Sequence, residues 1–238
     1  MSCVVPARNE SGHLRVVINH ILEVAEIEEI IIVEGGSTDD TWDVAQKIGQ
    51  ENPKKIKVLK QAGRGKFDAV LLGARNSLGK YIAIWDADGT VSLQNNSEII
   101  QLCVKTESPV MGDRLRGKIS PGAMRPLNWI GNWAFAILWA PILGKRPTDM
   151  LCGTKVLPRE LFLELPNELI QGDPYGDFAL IGFARLRGYS VVSHVVDYKA
   201  RAYGETNIHR WSGGFQLLKA TLLIYKVIYV QKKRWNHG

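Results

Sequence analysis

The sequence predicts an α/β fold: a Rossmann-like, mostly parallel sheet flanked by helices, with an amphipathic helix at the C-terminus. Three observations carry that prediction. Four short apolar runs, at residues 3–5, 30–33, 56–59 and 81–85, alternate with three segments of helical period at a nearly constant interval, the pattern of βα units with right-handed crossovers. The run at 81–85 is apolar without alternation, as a strand buried on both faces is. Every polar motif in this half follows directly on a run, at the carboxyl ends where open α/β sheets bind ligands.

The first run ends at Pro6-Ala7-Arg8-Asn9-Glu10. Pro6 lacks an amide proton and helps end the strand; beyond it Arg8 suits a phosphate and Glu10 a base or ribose. Leu14, Val17, Ile18, Ile21, Leu22 and Ala25 then recur at helical spacing. The second run exits into Glu34-Gly35-Gly36-Ser37-Thr38-Asp39-Asp40, where Ser37 and Asp40 have the spacing of a capping box for a helix through Trp42, Ala45 and Ile48. After the third run, Gly63-Arg64-Gly65-Lys66 opens a helix carrying Phe67, Val70, Leu71 and Ala74 on one face. Glycine, cations and a helix N-terminus together favour an anion.

The fourth run leads into Asp86-Ala87-Asp88-Gly89-Thr90. Two acids one residue apart repel each other unless a cation or a ligand's donors compensate. A hard divalent ion is the simplest compensator.

Composition sets outer bounds. With 238 residues, 45% of them apolar, the chain supports one sizeable core plus an appended segment. A net charge of +6 and a pI near 9.2 suit an anionic partner. Three widely spaced cysteines make neither a disulfide framework nor a zinc site, and a reducing cytoplasm fits them. The N-terminus lacks the order of a signal peptide, and no apolar run is read as long enough to span a bilayer, so membrane contact is expected to be peripheral, on the inner face. No interleaved basic and aromatic pattern points to nucleic acid.

In the second half, residues 127–143 are strongly apolar, with Trp129, Trp133 and Trp139 interrupted by Asn128 and Asn132. They read as an interfacial helix or a core helix. Near the C-terminus, Phe215, Leu217, Leu218, Leu222, Ile224, Tyr225, Ile228 and Tyr229 precede Lys232-Lys233-Arg234-Trp235. An apolar helix ending in cations and Trp suits an anionic membrane face; packing on the domain, or a homo-oligomer interface, is the alternative.

The motifs Val5-Pro6-Ala7-Arg8-Asn9-Glu10, Val33-Glu34-Gly35-Gly36-Ser37-Thr38-Asp39, Gly65-Lys66 and Asp86-Ala87-Asp88 together resemble the nucleotide-sugar half of family 2 glycosyltransferases of the GT-A fold. The resemblance implies that Pro6, Ala7, Arg8, Glu10, Glu34, Asp39, Lys66, Asp86, Ala87 and Asp88 bind a nucleoside-diphosphate sugar, with Mg²⁺ or Mn²⁺ on Asp88 and Asp86. Glu34-Gly35-Gly36 stands where Asp-Asp-Gly or Asp-Asn-Gly is more familiar. Further motifs, Met111-Gly112-Asp113-Arg114, Gly122-Ala123-Met124-Arg125-Pro126-Leu127-Asn128, Asp149-Met150-Leu151-Cys152-Gly153-Thr154-Lys155, Gly176-Asp177-Phe178 and Arg201-Ala202-Tyr203-Gly204-Glu205-Thr206-Asn207-Ile208, resemble the dolichyl- and polyprenyl-phosphate sugar synthases.

That likeness implies a lipid-phosphate acceptor held by Arg114, Arg125 and Asn128, and a segment from Arg201 that closes over the diphosphate. Asp177, Arg125 and Arg201 are the catalytic candidates it implies, Asp177 as base if the acceptor were a hydroxyl. It divides the chain into a glycosyltransferase domain at 1–207, with a nucleotide-sugar half (1–110) and an acceptor half (111–207), and a helix with a basic tail at 208–238.

A rival reading takes Asp86-Ala87-Asp88-Gly89-Thr90 as the first motif of haloacid-dehalogenase-type phosphatases, with Asp86 as nucleophile. Lys155 and Gly172-Asp173-Pro174-Tyr175-Gly176-Asp177 imitate that family's later motifs. Those acids should follow a buried strand, however, and residues 165–171 do not read as one.

Overall fold

The computed structural model describes residues 1–91, 96–201 and 210–235. Four βα units come first: β1 (Ser2–Ala7), α1 (Leu14–Leu22), β2 (Glu29–Glu34), α2 (Thr41–Glu51), β3 (Ile56–Lys60), α3 (Lys66–Arg75), β4 (Tyr81–Ile84) and α4 (Asn96–Thr106). The second half adds β5 (Val110–Asp113), α5 (Pro126–Leu143), β6 (Lys155–Pro158), α6 (Glu160–Leu163), α7 (Asn167–Gly172), α8 (Asp177–Leu186), β7 (Val192–Val195) and α9 (Arg210–Trp235). One seven-stranded sheet runs through both halves in the order β3-β2-β1-β4-β6-β5-β7. β1 to β4 are mutually parallel, and β6 alone runs against its neighbours β4 and β5. The mostly parallel, helix-flanked sheet expected from the sequence is present.

Side chains alternate between two cores, because successive residues of a strand face opposite sides of the sheet. Cys3, Val5, Ile30 and Ile32 pack with Leu14, Ile18, Ala45, Ile48, Ile99 and Cys103 from α1, α2 and α4. Val4, Ile31 and Val33 pack on the other side with Phe67, Leu71, Trp139, Phe178 and Ile224, from α3, α5, α8 and α9. The sheet is therefore sandwiched, and only its ends are open to ligands.

Two expectations need correction. Ser37 and Asp40 form no capping box: Asp40 makes no side-chain cap for α2, and the Ser37 hydroxyl instead accepts a hydrogen bond from the Asn9 amide at 3.0 Å. The α2 entrance is held by Asp39, whose Oδ1 accepts the Thr41 amide at 3.0 Å. Second, α9 does contain a stretch, Gly213–Val230, long and apolar enough to cross a membrane by length and composition. The lysines at 219 and 226 hid it from a search for uninterrupted apolar runs. Here it packs on the domain, with Ala220 and Ile224 buried.

Helix α5 is at once the core helix and the exposed apolar helix that its sequence allowed. Phe135, Trp139, Ile142 and Leu143 are buried, while Leu127, Trp129, Ile130, Trp133, Ile137 and Leu138 are exposed. Trp139 lies 4.8 Å from Phe178 between ring centroids, and its Nε1 donates to Thr221 Oγ1 of α9 at 3.1 Å.

Candidate active site

The strand order reverses between β1 and β4: the chain steps from β1 outward to β2 and β3, then returns to β1's other side. A crevice at the carboxyl ends of these strands follows from that switch. Four loops meet around it, at residues 6–10, 34–40, 61–66 and 85–90. Because β6 is antiparallel and pairs Lys155 with Ile84, its first residue enters the same crevice. Asp177, the first residue of α8, enters from the helical layer.

Cations meet four of the carboxylates expected here, Glu10, Asp86, Asp88 and Asp177. Lys66 Nζ lies 2.5 Å from Asp86 Oδ1. Arg201 bridges two acids, with Nη2 2.6 Å from Asp88 Oδ2 and Nη1 2.8 Å from Glu10 Oε1. Lys155 Nζ lies 2.6 Å from Asp177 Oδ1 and also donates to the Cys152 carbonyl. Burial works against the charge on Lys66, yet Asp86, Asp177 and Asp88 carry its ammonium above the ordinary lysine value. Burial likewise opposes ionisation of Asp86, and Lys66 overcomes it, holding that carboxyl below the usual range. Glu10 goes the other way: burial pushes it up to about 7, reinforced by Asp88 and Asp86, with Arg201 opposing. His13 Nδ1 stands 3.6 Å from its second oxygen.

The two loops expected to hold the nucleoside are tied to one another. Asn9 adopts a left-handed backbone (φ 57°), which asparagine tolerates better than most residues, and its Oδ1 accepts the Thr38 amide at 2.8 Å. Glu34 is buried and takes the Ser37 amide at 2.5 Å. Asp39 accepts from Ser11 Oγ at 2.8 Å and from Thr41, and these bonds outweigh burial to keep its carboxyl below the ordinary range. Arg8 is exposed at the crevice rim, Pro6 is half-buried, and Ala7 and Ala87 are buried.

The expected acceptor residues differ in exposure and pairing. Arg125 is exposed at the N-cap of α5, and Asn128 is exposed in the first turn. Arg114 is half-buried and paired: Nε and Nη2 form a fork on Asp149 at 2.7 and 2.9 Å, its guanidinium is 5.0 Å from the Tyr198 ring, and its charge helps hold the Asp86 carboxyl down. Burial opposes its charge but Asp149 raises it further above neutrality. The structure thus pairs Arg114 within the protein and leaves Arg125 at the surface. Of the segment expected to close over the diphosphate, Arg201 is at the site; residues 202–208 lie outside the described residues.

Three contributors stand in motifs quoted above without a role in the transferase site: Lys155, singled out only for the phosphatase reading, Asn9 and Gly153. A Cβ on Gly153 would fall onto the Asp86 carboxylate and Lys66 Nζ, so only glycine lets the 149–154 loop approach so closely. A lysine opening an otherwise apolar strand was the available signal for Lys155.

Among the described residues no three His, Cys, Asp or Glu side chains converge as a metal cage. The donor set is still that of a hard divalent ion, which takes one or two carboxylates and completes its shell with substrate phosphates and water. Asp88, with Oδ1 steadied by the Thr90 amide at 3.0 Å and hydroxyl at 2.8 Å, and Asp86 fit such an ion. The phosphatase reading finds no matching framework, because residues 167–172 form α7 where it needs a buried strand.

A family model described as glycosyl transferase family 2 matches residues 2–157. The chain is 29% identical over 165 residues to glycosyltransferase AglJ of Haloferax volcanii, covering 68% of this chain and spanning about half of that protein (52%). It is 26% identical over 226 residues to the dolichyl-phosphate hexose transferase of the same organism, covering 94% and 93% of the two chains. Among solved structures, glucosyl-3-phosphoglycerate synthase from Mycobacterium tuberculosis, in complex with Mn²⁺, UDP and glucosyl-3-phosphoglycerate, superposes with a TM-score of 0.66 at 21% identity, over 93% of this chain and 78% of that one. At that identity the likeness shows a shared fold.

Proposed function

The chain belongs to glycosyl transferase family 2, and from that premise we propose that it moves a hexose from a nucleoside-diphosphate sugar to a polyprenyl or dolichyl phosphate. The observation that carries this reading is the convergence of Glu10, Lys66, Asp86, Asp88 and Arg201 at the switch point between β1 and β4. The nucleoside would lie against residues 6–10 and the buried Glu34, and the diphosphate between Lys66 and Arg201. Asp88, with Asp86, would hold Mg²⁺ or Mn²⁺, which neutralises charge on the departing diphosphate when bound.

Lys66 and Arg201 supply fixed positive charge to the same oxygens. A phosphate monoester has its second pKa near ~6, so a lipid-phosphate oxygen can attack the anomeric carbon directly. The bond to the diphosphate oxygen breaks from the opposite side, and configuration inverts. Arg125, exposed at the head of α5, would meet the acceptor phosphate.

The acceptor reading draws support from the dolichyl-phosphate hexose transferase relative and from the outer face of α5 and α9. Leu127, Trp129, Ile130 and Trp133 on α5, and Phe215, Leu218 and Leu222 on α9, are exposed. Arg146 lies over the Trp133 ring and Lys219 over that of Phe215. Residues 208–238 carry no acid. Such a face suits the headgroup region of an anionic bilayer, where a lipid phosphate resides. Peripheral placement on the cytoplasmic side belongs to this proposal.

Thermal-shift measurements against UDP, GDP, dTDP and CDP, with and without Mn²⁺, test the donor half, since a ligand of the native state raises stability. Stabilisation by one nucleotide, dependent on metal, followed by transfer to a polyprenyl phosphate, is expected. Indifference to all four, with hydrolysis of an aryl phosphate that is lost in Asp86→Asn, would return the phosphatase.

A further inference from the structure

We propose that Lys155 is the positioning residue for Asp177, fixing that carboxylate as a charged acceptor toward the donor sugar and keeping it out of proton transfer. The inference rests on the transferase reading above. Lys155 is 1% exposed, unusual for a residue whose charge is costly to bury. It is held there because Nζ meets Asp177 Oδ1 at 2.6 Å and the Cys152 carbonyl. The neighbouring acid, Asp86, is already occupied by Lys66 at 2.5 Å, and Gly153 packs directly against that second pair. Two ammonium groups and two carboxylates are thus matched in one compact cluster.

That match limits what Asp177 can do. If it took a proton from an acceptor hydroxyl, Lys155 would be left buried against a neutral acid and a carbonyl, the situation that makes breaking a buried pair expensive. Asp177 remains 17% exposed at its side chain, so it can accept hydrogen bonds from a sugar while Oδ1 stays with Lys155. A phosphate acceptor asks nothing more: its oxygen forms the bond to the anomeric carbon, the diphosphate oxygen leaves with the electron pair, and no proton moves. The cluster therefore selects an acceptor that arrives ionised.

The test uses the full chain, its preferred nucleotide sugar, and polyprenyl phosphate beside polyprenol. Lys155→Met, Asp177→Asn and the double variant are compared for kcat, donor KM, Tm and stabilisation by the free nucleoside diphosphate with Mn²⁺. Each single change is expected to lower kcat by about 100-fold, as misplacing a substrate-orienting group does, while stabilisation by the sugar-free nucleotide persists. The double variant should lose no more than the worse single one, because both changes break one unit, and its Tm should exceed that of Lys155→Met, which leaves an acid unpaired. Wild type should glycosylate polyprenyl phosphate and leave polyprenol untouched. Losses that multiply, or polyprenol turnover abolished by Asp177→Asn, overturn the inference while leaving the transferase standing. A wild type that binds no nucleotide and transfers no sugar overturns both.

Discussion

Arg201 Nη2 sits 2.6 Å from Asp88 Oδ2, across 113 residues of sequence. The arginine thereby occupies the acid proposed to receive a divalent ion, and its other arm reaches Glu10 Oε1 at 2.8 Å. A guanidinium and a metal ion answer the same need, compensation of carboxylates gathered at one sheet edge. Nucleotide and metal binding would free the arginine for the diphosphate.

Competition between the two cations is measurable. Arg201→Met should lower metal-free stability by on the order of 1–2 kcal/mol, less than a fully buried pair because the side chain is partly exposed. Added Mn²⁺ alone should then raise the Tm of the variant more than that of wild type. Equal shifts in the two proteins would show that Arg201 does not guard the metal's carboxylate.

Glu10 gives a pH dependence with a definite sign. Its carboxyl is raised to about 7 in the folded protein, chiefly by burial. Between its ordinary unfolded value and about 7 the native state holds the proton more tightly, so stability present at low pH is lost as pH rises through that window. Glu10→Gln removes the ionisation, and the Tm difference between variant and wild type should grow in the variant's favour from pH 5 to pH 8. A difference that is flat or reversed would place the dominant interaction with Arg201 instead of with burial.

These residues show what the sequence could and could not disclose. β1, β2 and β4 were readable because strands covered on both faces are written as unbroken apolar runs, and Glu10, Lys66, Asp86 and Asp88 because each follows a strand's carboxyl end. The capping box at Ser37 and Asp40 failed although its spacing was right, since the Ser37 hydroxyl is taken by the Asn9 amide, 28 residues away. No local pattern reports such competition. The antiparallel insertion of β6, which delivers Lys155 to the crevice, likewise depends on pairing with β4 and β5, which its own four residues do not specify.

Arg114 and Arg125, grouped as acceptor ligands by resemblance, should now behave differently. Asp149 is fully buried beneath the Arg114 fork, so Asp149→Ala leaves an uncompensated guanidinium and should cost about 3 kcal/mol in denaturant unfolding. Arg125→Ala, at an exposed N-cap, should change stability by less than about 0.5 kcal/mol. Its effect should appear in the acceptor KM, raised roughly tenfold by loss of a charge-assisted hydrogen bond, with donor KM unchanged. A donor KM that moves as well would place Arg125 at the diphosphate.

The apolar outer face of α5 and α9 tests the link between acceptor and membrane. The two helices are tied to each other, by Trp139 Nε1 donating to Thr221 Oγ1 at 3.1 Å and by the Tyr225 hydroxyl donating to the Leu138 carbonyl, and they face the core through buried Phe135, Trp139, Ala220 and Ile224. Replacing outward residues therefore need not disturb the fold. Trp133 is 59% exposed and Ile130 62%, and inserting a large apolar side chain fully into lipid is worth roughly 1.5–3 kcal/mol. The double variant Ile130→Ser/Trp133→Ser should bind vesicles containing anionic lipid at least roughly tenfold more weakly than wild type, with nucleotide-induced stabilisation intact. Raising salt should weaken the wild type further, because the cations flanking this face act through a screened field. Turnover of a full-length polyprenyl phosphate in vesicles should fall with binding, whereas turnover of a short, water-soluble isoprenyl phosphate should be unaffected. If both acceptors lose equally, the face serves the catalytic domain's own packing, and the acceptor reaches Arg125 by another route.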